Sequence, residues 1–211
     1  MAHLPQHRDC QQEKLDRVLG LVACSNFRIL NALSVMRNQT HVDVTCSNGF
    51  SYLPNTSGKY FHDKVPLDIG LCMQTLWIGQ RREFSTPLPA PLNSGAEIIV
   101  EAAADGVSIP AIYLFAKDDS KTVFYLIVRW SPYTIVYNTA EGSWGTEVRS
   151  TSPLLTPNVT SILSIKMTET QFLISSDNDS QFQAPIRFPL QEAITLQVAF
   201  TVIKRVQIKY R

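Results

Sequence analysis

The chain has 211 residues, with 19 Lys and Arg against 18 Asp and Glu, a formal net charge of +1. That balance argues against a protein held on nucleic acid by a basic surface. With 45% hydrophobic and 18% charged residues, the composition is that of a folded chain and not of a disordered one.

The segment from Met1 to Lys14 is polar and lacks the apolar core of a secretory signal. The longest apolar runs, Val123 to Val128 and Ile194 to Ile203, are interrupted and far below the ~20 residues of a membrane-spanning helix, so no membrane insertion is expected. Between Gln11 and Met36, Leu15, Val18, Leu19 and Val22, then Phe27, Leu30, Leu33 and Met36, recur at spacings of three and four. That period predicts one or two amphipathic helices. His41 to Thr45 alternates as a strand does, and Ser47 to Gly58 is rich in turn residues. Residues 1–80 therefore read as a small mixed or α-helical unit. All four cysteines, Cys10, Cys24, Cys46 and Cys72, lie within it. Two disulfides with three open connectivities is one reading, and four reduced, buried cysteines is the other.

From residue 81 the pattern changes. Pro87, Pro89 and Pro91 mark an extended entry, and strand candidates then follow at short intervals: Glu97–Ala102, Ser108–Ala116, Thr122–Trp130, Tyr133–Asn138, Thr146–Arg149, Ser161–Met167, Phe172–Ser175, Ile194–Phe200 and Ile203–Lys209. Turn residues separate them at Asp105-Gly106, Lys117–Lys121, Ala140–Ser143 and Asp177–Ser180. Many short strands with regular turns predict a mainly β second domain, 81–211, built as a sandwich or barrel.

The four histidines, His3, His7, His41 and His62, all precede residue 81, which removes a His-based triad and a His-rich metal site from the β domain. No P-loop, GxGxxG, HExxH or CxxC pattern occurs. Asp118, Asp119, Asp177 and Asp179 fall in turns, as solvated loop charges do. The expectation is no catalytic residue, no metal and no cofactor: not an enzyme.

The stretch from Thr134 to Arg149 has a different character. A strand ends in Asn138, a glycine-flanked loop follows, Trp144 emerges from it, and Glu147 and Arg149 share a face at period two. A pyranose has an apolar C–H face and a rim of hydroxyls. An indole can stack on the first, while Asn, Glu and Arg hold the second through paired donors and acceptors. A core tryptophan beside a surface ion pair is the competing reading.

Trp144-Gly-Thr-Glu-Val-Arg149, preceded by Ile135-Val-Tyr-Asn138, resembles the galectin signature, in which a strand with V-x-N leads to W-G-x-E-x-R. Pro87-Leu-Pro89, Leu92 to Gly95, Glu97 to Val100, Leu163 to Ile174 and Phe188-Pro-Leu190 extend the resemblance over about residues 84–209. It implies a jelly-roll β-sandwich of two antiparallel sheets and a metal-free lectin for β-galactosides. Trp144 would stack on the sugar, and Asn138, Glu147 and Arg149 would bond its hydroxyls. Arg129 falls where the family's H-x-N-x-R element ends, with positions 125, 127 and 129 on one face. The family's His and middle Asn are Tyr125 and Ile127 here. Ile127 offers no polar partner, and an unpartnered sugar hydroxyl costs about 1–3 kcal/mol, so weakened or altered galactoside binding is expected.

The leading expectation is thus a lectin for glycans or glycoproteins, and the alternative is a galectin-like scaffold acting in protein–protein interaction or assembly. Members of the family often dimerise through terminal strands, where Phe200, Val202 and Ile203 lie; sandwich core is the reading favoured for these residues, with a homodimer as the alternative. Asn-x-Ser/Thr triplets at Asn38, Asn55, Asn158 and Asn178, together with the cysteines, point to an extracellular glycoprotein. Cytoplasmic synthesis with signal-independent export is the alternative that the resemblance brings.

Overall fold

The computed structural model describes residues 32–37, 42–53, 60–62, 65–67, 71–117 and 121–210. Among them the regular structure is β, apart from 3-10 conformation at Lys117 and a 3-10 turn at Leu190–Glu192. Three hairpins come first: β1 (Ala32–Arg37) with β2 (Val42–Cys46), β3 (Phe50–Leu53) with β6 (Leu71–Gln74), and β4 (Tyr60–His62) with β5 (Val65–Leu67). Residues 11–31 of the expected helices lie outside the described residues. The end of that stretch is corrected, because Ala32–Arg37 is a strand carrying Leu33 and Met36. Short apolar runs do not separate the two periods, and antiparallel pairing with Val42–Cys46 selects the extended form here. The turn-rich reading of 47–58 holds at 47–49 and is corrected at Phe50–Leu53, while 54–58 lie outside the described residues. Gly49 takes φ 85° in a turn closed by Phe50 N–H to Ser47 carbonyl at 3.0 Å, and β3 follows directly.

A disulfide joins Cys46, the last residue of β2, to Cys72 within β6, with Cys72 buried; Cys10 and Cys24 lie outside the described residues. Beyond it the chain passes through buried Thr75 into β7 (Leu76–Pro87). Thr75 accepts the Ile208 N–H at 2.8 Å, and its hydroxyl meets that of Ser51 at 2.8 Å, so the β3–β6 hairpin is fastened to the strands that follow. The boundary read at 80/81 falls inside β7.

The remaining strands are β8 (Glu97–Ala103), β9 (Ala111–Phe115), β10 (Lys121–Trp130), β11 (Tyr133–Glu141), β12 (Ser143–Trp144), β13 (Val148–Ser150), β14 (Thr160–Met167), β15 (Gln171–Ser176), β16 (Gln181–Pro185) and β17 (Thr195–Lys209). Their pairing runs β12-β11-β10-β9-β17-β8-β14-β15-β16, antiparallel throughout, with β13 on β11 and β7 on β17. The 15-residue β17 explains how one path makes two layers. Its first part, Thr195–Ala199, pairs with β9, and its second, Val202–Lys209, pairs with β8. The two expected strands at 194–200 and 203–209 are thus one strand shared by both sheets, and β7 runs along its other edge.

Between the layers lies the core. Leu163, Ile165 and Met167 point inward from β14 while Ile162 and Lys166 point out, the period of two that a half-buried strand requires. Phe124, Tyr137 and Phe172 form an aromatic cluster, with Phe124 edge-on to Phe172 at 4.6 Å. Tyr137 is fully buried and donates its hydroxyl to Pro185 carbonyl at 2.6 Å, and burial pushes its phenol up to about 12. This cluster fixes β10 and β11 from behind. Phe200 and Ile203 also belong to the core, and β7 pairs along β17. No helix among the described residues is long and apolar enough to cross a membrane.

Candidate carbohydrate-binding site

On β10 the residues alternate, with one interruption. The register shifts between Thr122 and Tyr125, so Val123 and Phe124 both point into the core. Tyr125, Ile127 and Arg129 then point to the opposite, outer face. There Ile127 is buried with Ala111 of β9 and Val136 of β11, and Tyr113, Tyr125 and Ala199 pack around them. The centre of the groove is therefore apolar where the family's polar pair would stand.

Aromatic rings continue the groove across the strands. Tyr113 stacks on Phe115 at 5.2 Å and on Tyr125 at 4.8 Å, and Tyr125 lies 4.8 Å from Trp144 at an interplanar angle of 42°. Burial, followed by the neighbouring Tyr113 hydroxyl, pushes the Tyr125 phenol up to about 12, so it stays protonated at neutral pH. Stacked rings hide their faces in one another. Trp144, on the short edge strand β12 against Ala140, keeps 56% of its surface exposed. A core tryptophan is ruled out.

Glu147 lies between two guanidiniums. Arg129 Nη2 approaches its Oε1 at 3.1 Å, Arg149 Nε its Oε2 at 2.7 Å, and Arg149 Nη2 contacts the same Oε2. These hydrogen bonds, that of Arg149 first, hold the Glu147 carboxyl below its usual range against the opposing effect of desolvation. One carboxylate and two guanidiniums leave a rim with donors in excess, suited to hydroxyl or other oxygen acceptors.

Asn138 is the least exposed of the five expected residues, at 4%. Its Nδ2 donates to Gly145 carbonyl at 2.9 Å, and its Oδ1 accepts the Thr139 N–H at 2.8 Å and Arg187 Nη1 at 3.3 Å. Asn138 thus anchors the loop that carries Trp144, with one further N–H on Nδ2. Gly145 donates its N–H to Thr139 carbonyl at 2.9 Å and sits so close that a Cβ there would lie 3.2 Å from Arg187 Nη1 and 3.3 Å from Asn138 Oδ1. That approach accounts for glycine after the tryptophan.

The fold therefore gathers Arg129, Glu147 and Arg149 into one network, sets Trp144 at the edge of the same face, and places Asn138 beneath the tryptophan loop. Two neighbours escape sequence reasoning. Tyr113 lies in an expected strand, but only the β9–β10 register sets it opposite Tyr125. Arg187, over the Tyr137 ring at 5.4 Å, is 49 positions from Asn138 and carries no local signal.

Comparisons with known proteins agree on the fold. The family model described as galactoside-binding lectin matches residues 83–208, more than half of the chain. No curated protein sequence matches. Among solved structures, galectin LEC-6 of Caenorhabditis elegans aligns with a TM-score of 0.59 at 15% identity, over 67% of this chain and 100% of that one. A toad ovary galectin in complex with thio-digalactose gives 0.55 at 16% identity, over 61% and 99%. A human galectin-16 variant gives 0.55 at 17% identity, over 61% and 95%. At such identities the structures speak for the fold, and the family match carries the assignment: this chain belongs to the galactoside-binding lectins, the galectins.

Proposed function

We propose that the chain is a carbohydrate-binding lectin whose domain 81–211 takes glycans or glycoproteins in the groove of β10, β11 and β12, without metal and without catalysis. The observation that carries the reading is the exposed Trp144 indole at the edge of a face that also holds the Arg129–Glu147–Arg149 network. An indole face offers stacking to the C–H side of a pyranose, and the network offers directed donors to its hydroxyls. Asn138 contributes its remaining Nδ2 hydrogen. The fold family supports β-galactosides as the first ligands to try, and thio-digalactose, which the toad ovary galectin holds, is the natural probe. The buried Ile127 and the ring of Tyr125 support an altered preference among them. The Cys46–Cys72 disulfide favours extracellular residence.

One observation favours a second reading, a scaffold for protein interaction without sugar binding. Tyr125 lies against Trp144 from β10, the groove side, where a stacked sugar would need room. A broad glycan panel probed with the parent protein, Trp144→Ala and Tyr125→Ala separates the two. The lectin reading expects hits on the parent that Trp144→Ala loses. Binding unchanged in Trp144→Ala contradicts it, and hits gained only by Tyr125→Ala establish the scaffold reading.

A further inference from the structure

The groove face does not stop at Arg129. Ala111 of β9 pairs with Ile127, Pro110 carbonyl accepts the Val128 N–H at 3.2 Å, and Ser108 carbonyl accepts the Trp130 Nε1–H at 2.7 Å. Residues 108–110 therefore run beside 128–130 in the register of β9 and β10, which sets Ile109 next to Arg129. The alternation continues as well. Pro110 is buried, Ala111 belongs to the apolar floor beneath Tyr113 and Tyr125, and Ile109 returns to the outer side that Ala111 and Tyr113 share. Ile109 is 58% exposed, and Val107, further out on the same loop, is 84% exposed. Single apolar side chains on a surface are ordinary. These two extend the end of a groove that already carries a directed polar network.

The loop does not need those side chains for its own shape. Asp105 Oδ1 accepts the Val107 N–H at 2.9 Å and the Ser108 N–H at 2.7 Å, Oδ2 accepts the Ser108 hydroxyl at 2.9 Å, and Gly106 takes φ 79°. Asp105, Gly106 and Ser108 thus close the turn, which uses the backbone of Val107 and neither apolar side chain. With these N–H groups taken up internally, the loop meets an apolar group without stranding a donor. Sugar hydroxyls gain nothing from two aliphatic side chains beyond Arg129, whereas a hydrocarbon leaves water there. We infer that Ile109 and Val107 form an apolar subsite continuous with the groove, and that it takes the alkyl aglycone of a galactoside, as a glycolipid presents it. On the lectin reading, on which this depends, the sugar lies over Trp144 and the Arg129–Glu147–Arg149 network. The aglycone then leaves the groove past Arg129.

The test titrates methyl, butyl and octyl β-lactosides, each below its micelle-forming concentration, into the full chain by calorimetry. The octyl lactoside should bind about tenfold more tightly than the methyl one, the effect of about two methylenes leaving water, with butyl between them. Ile109→Ser and Val107→Ser, at exposed positions, should each lower the octyl-to-methyl ratio, and the double variant should bring it to about one. Octyl maltoside, which carries the same chain without galactose, should not bind. Equal affinity for the three lactosides, or a gain that survives in the double variant, overturns the inference and leaves the lectin reading standing. Octyl maltoside bound as tightly as octyl lactoside also overturns it, because the chain would then be taken up without the sugar. Failure of every lactoside to bind, methyl included, counts against the galactoside-lectin reading itself, and the subsite falls with it.

Discussion

Tyr125 meets Trp144 with ring centroids 4.8 Å apart, so the exposed indole is braced from the groove side by a residue two strands inward. Tyr113 in turn backs Tyr125 at 4.8 Å. The position of the tryptophan is therefore set by a row of rings as well as by its own loop. Replacing Tyr125 by Ala removes the brace and part of the apolar surface over Ile127. Stability should fall by about 1–3 kcal/mol, and the emission of Trp144 should shift to longer wavelength. Denaturant melts and fluorescence of Tyr125→Ala against Tyr125→Phe check this. Equal behaviour of the two variants would mean that the ring does not brace the indole.

Asn138 holds the Trp144 loop through Gly145 carbonyl. Asn138→Ala leaves that carbonyl and the Thr139 N–H short of partners, a loss of about 1–3 kcal/mol. Equilibrium unfolding should report it. Glycan binding should fall further than stability, because the same bond sets the indole.

Gly145→Ala tests the close approach directly. Its Cβ presses on Asn138 Oδ1 and Arg187 Nη1. The flexible arginine can yield, so stability should drop by only about 1 kcal/mol. Binding should weaken by roughly tenfold, the effect of ~1.4 kcal/mol, in a titration against any glycan that the parent takes.

Glu147 makes the rim sensitive to acid. Its carboxyl titrates below the ordinary glutamate range, so the network is formed at and above that range and is lost as pH falls through the lowered value. Binding should stay level from neutral pH to about pH 5 and decline below it. Glu147→Gln should bind weakly at every pH and abolish the decline; a variant that keeps it would place the titrating group elsewhere.

The Cys46–Cys72 bridge closes a separation of 26 residues. In the chain-entropy account such a closure is worth about 3–4 kcal/mol. A reductant should therefore lower the stability of the β2–β3–β6 portion, while the sandwich keeps its own core. Hydrogen exchange with and without reductant should show faster exchange in residues 42–53 and 71–75 and little change in β14.

Most of the sandwich was legible because its strands alternate. Ser161 to Met167 and Phe172 to Ser175 show period two, and β14 and β15 lie within a residue of those ranges. Strands carrying polar or small residues gave no such signal, as with Gln181–Pro185 and the edge pair Ser143–Trp144. β7 was missed because Gly79 and its run of charged residues mask the pattern that Trp77 and Phe84 supply, two rings 5.3 Å apart. The site was legible as a motif from Asn138 to Arg149, and Arg129 through its parity. Tyr113 and Arg187 depend on register and on contact between distant segments, which no local pattern encodes.

The most direct measurement follows the indole N–H resonances of the three tryptophans, Trp77, Trp130 and Trp144, while thio-digalactose and the best glycans of the panel are titrated in. Trp130 donates its Nε1 to Ser108 carbonyl and Trp77 packs on Phe84, both away from the groove. The account predicts a saturable shift of the Trp144 signal while the other two stay in place. Binding with Trp144 unmoved, or no shift with any glycan, would contradict it.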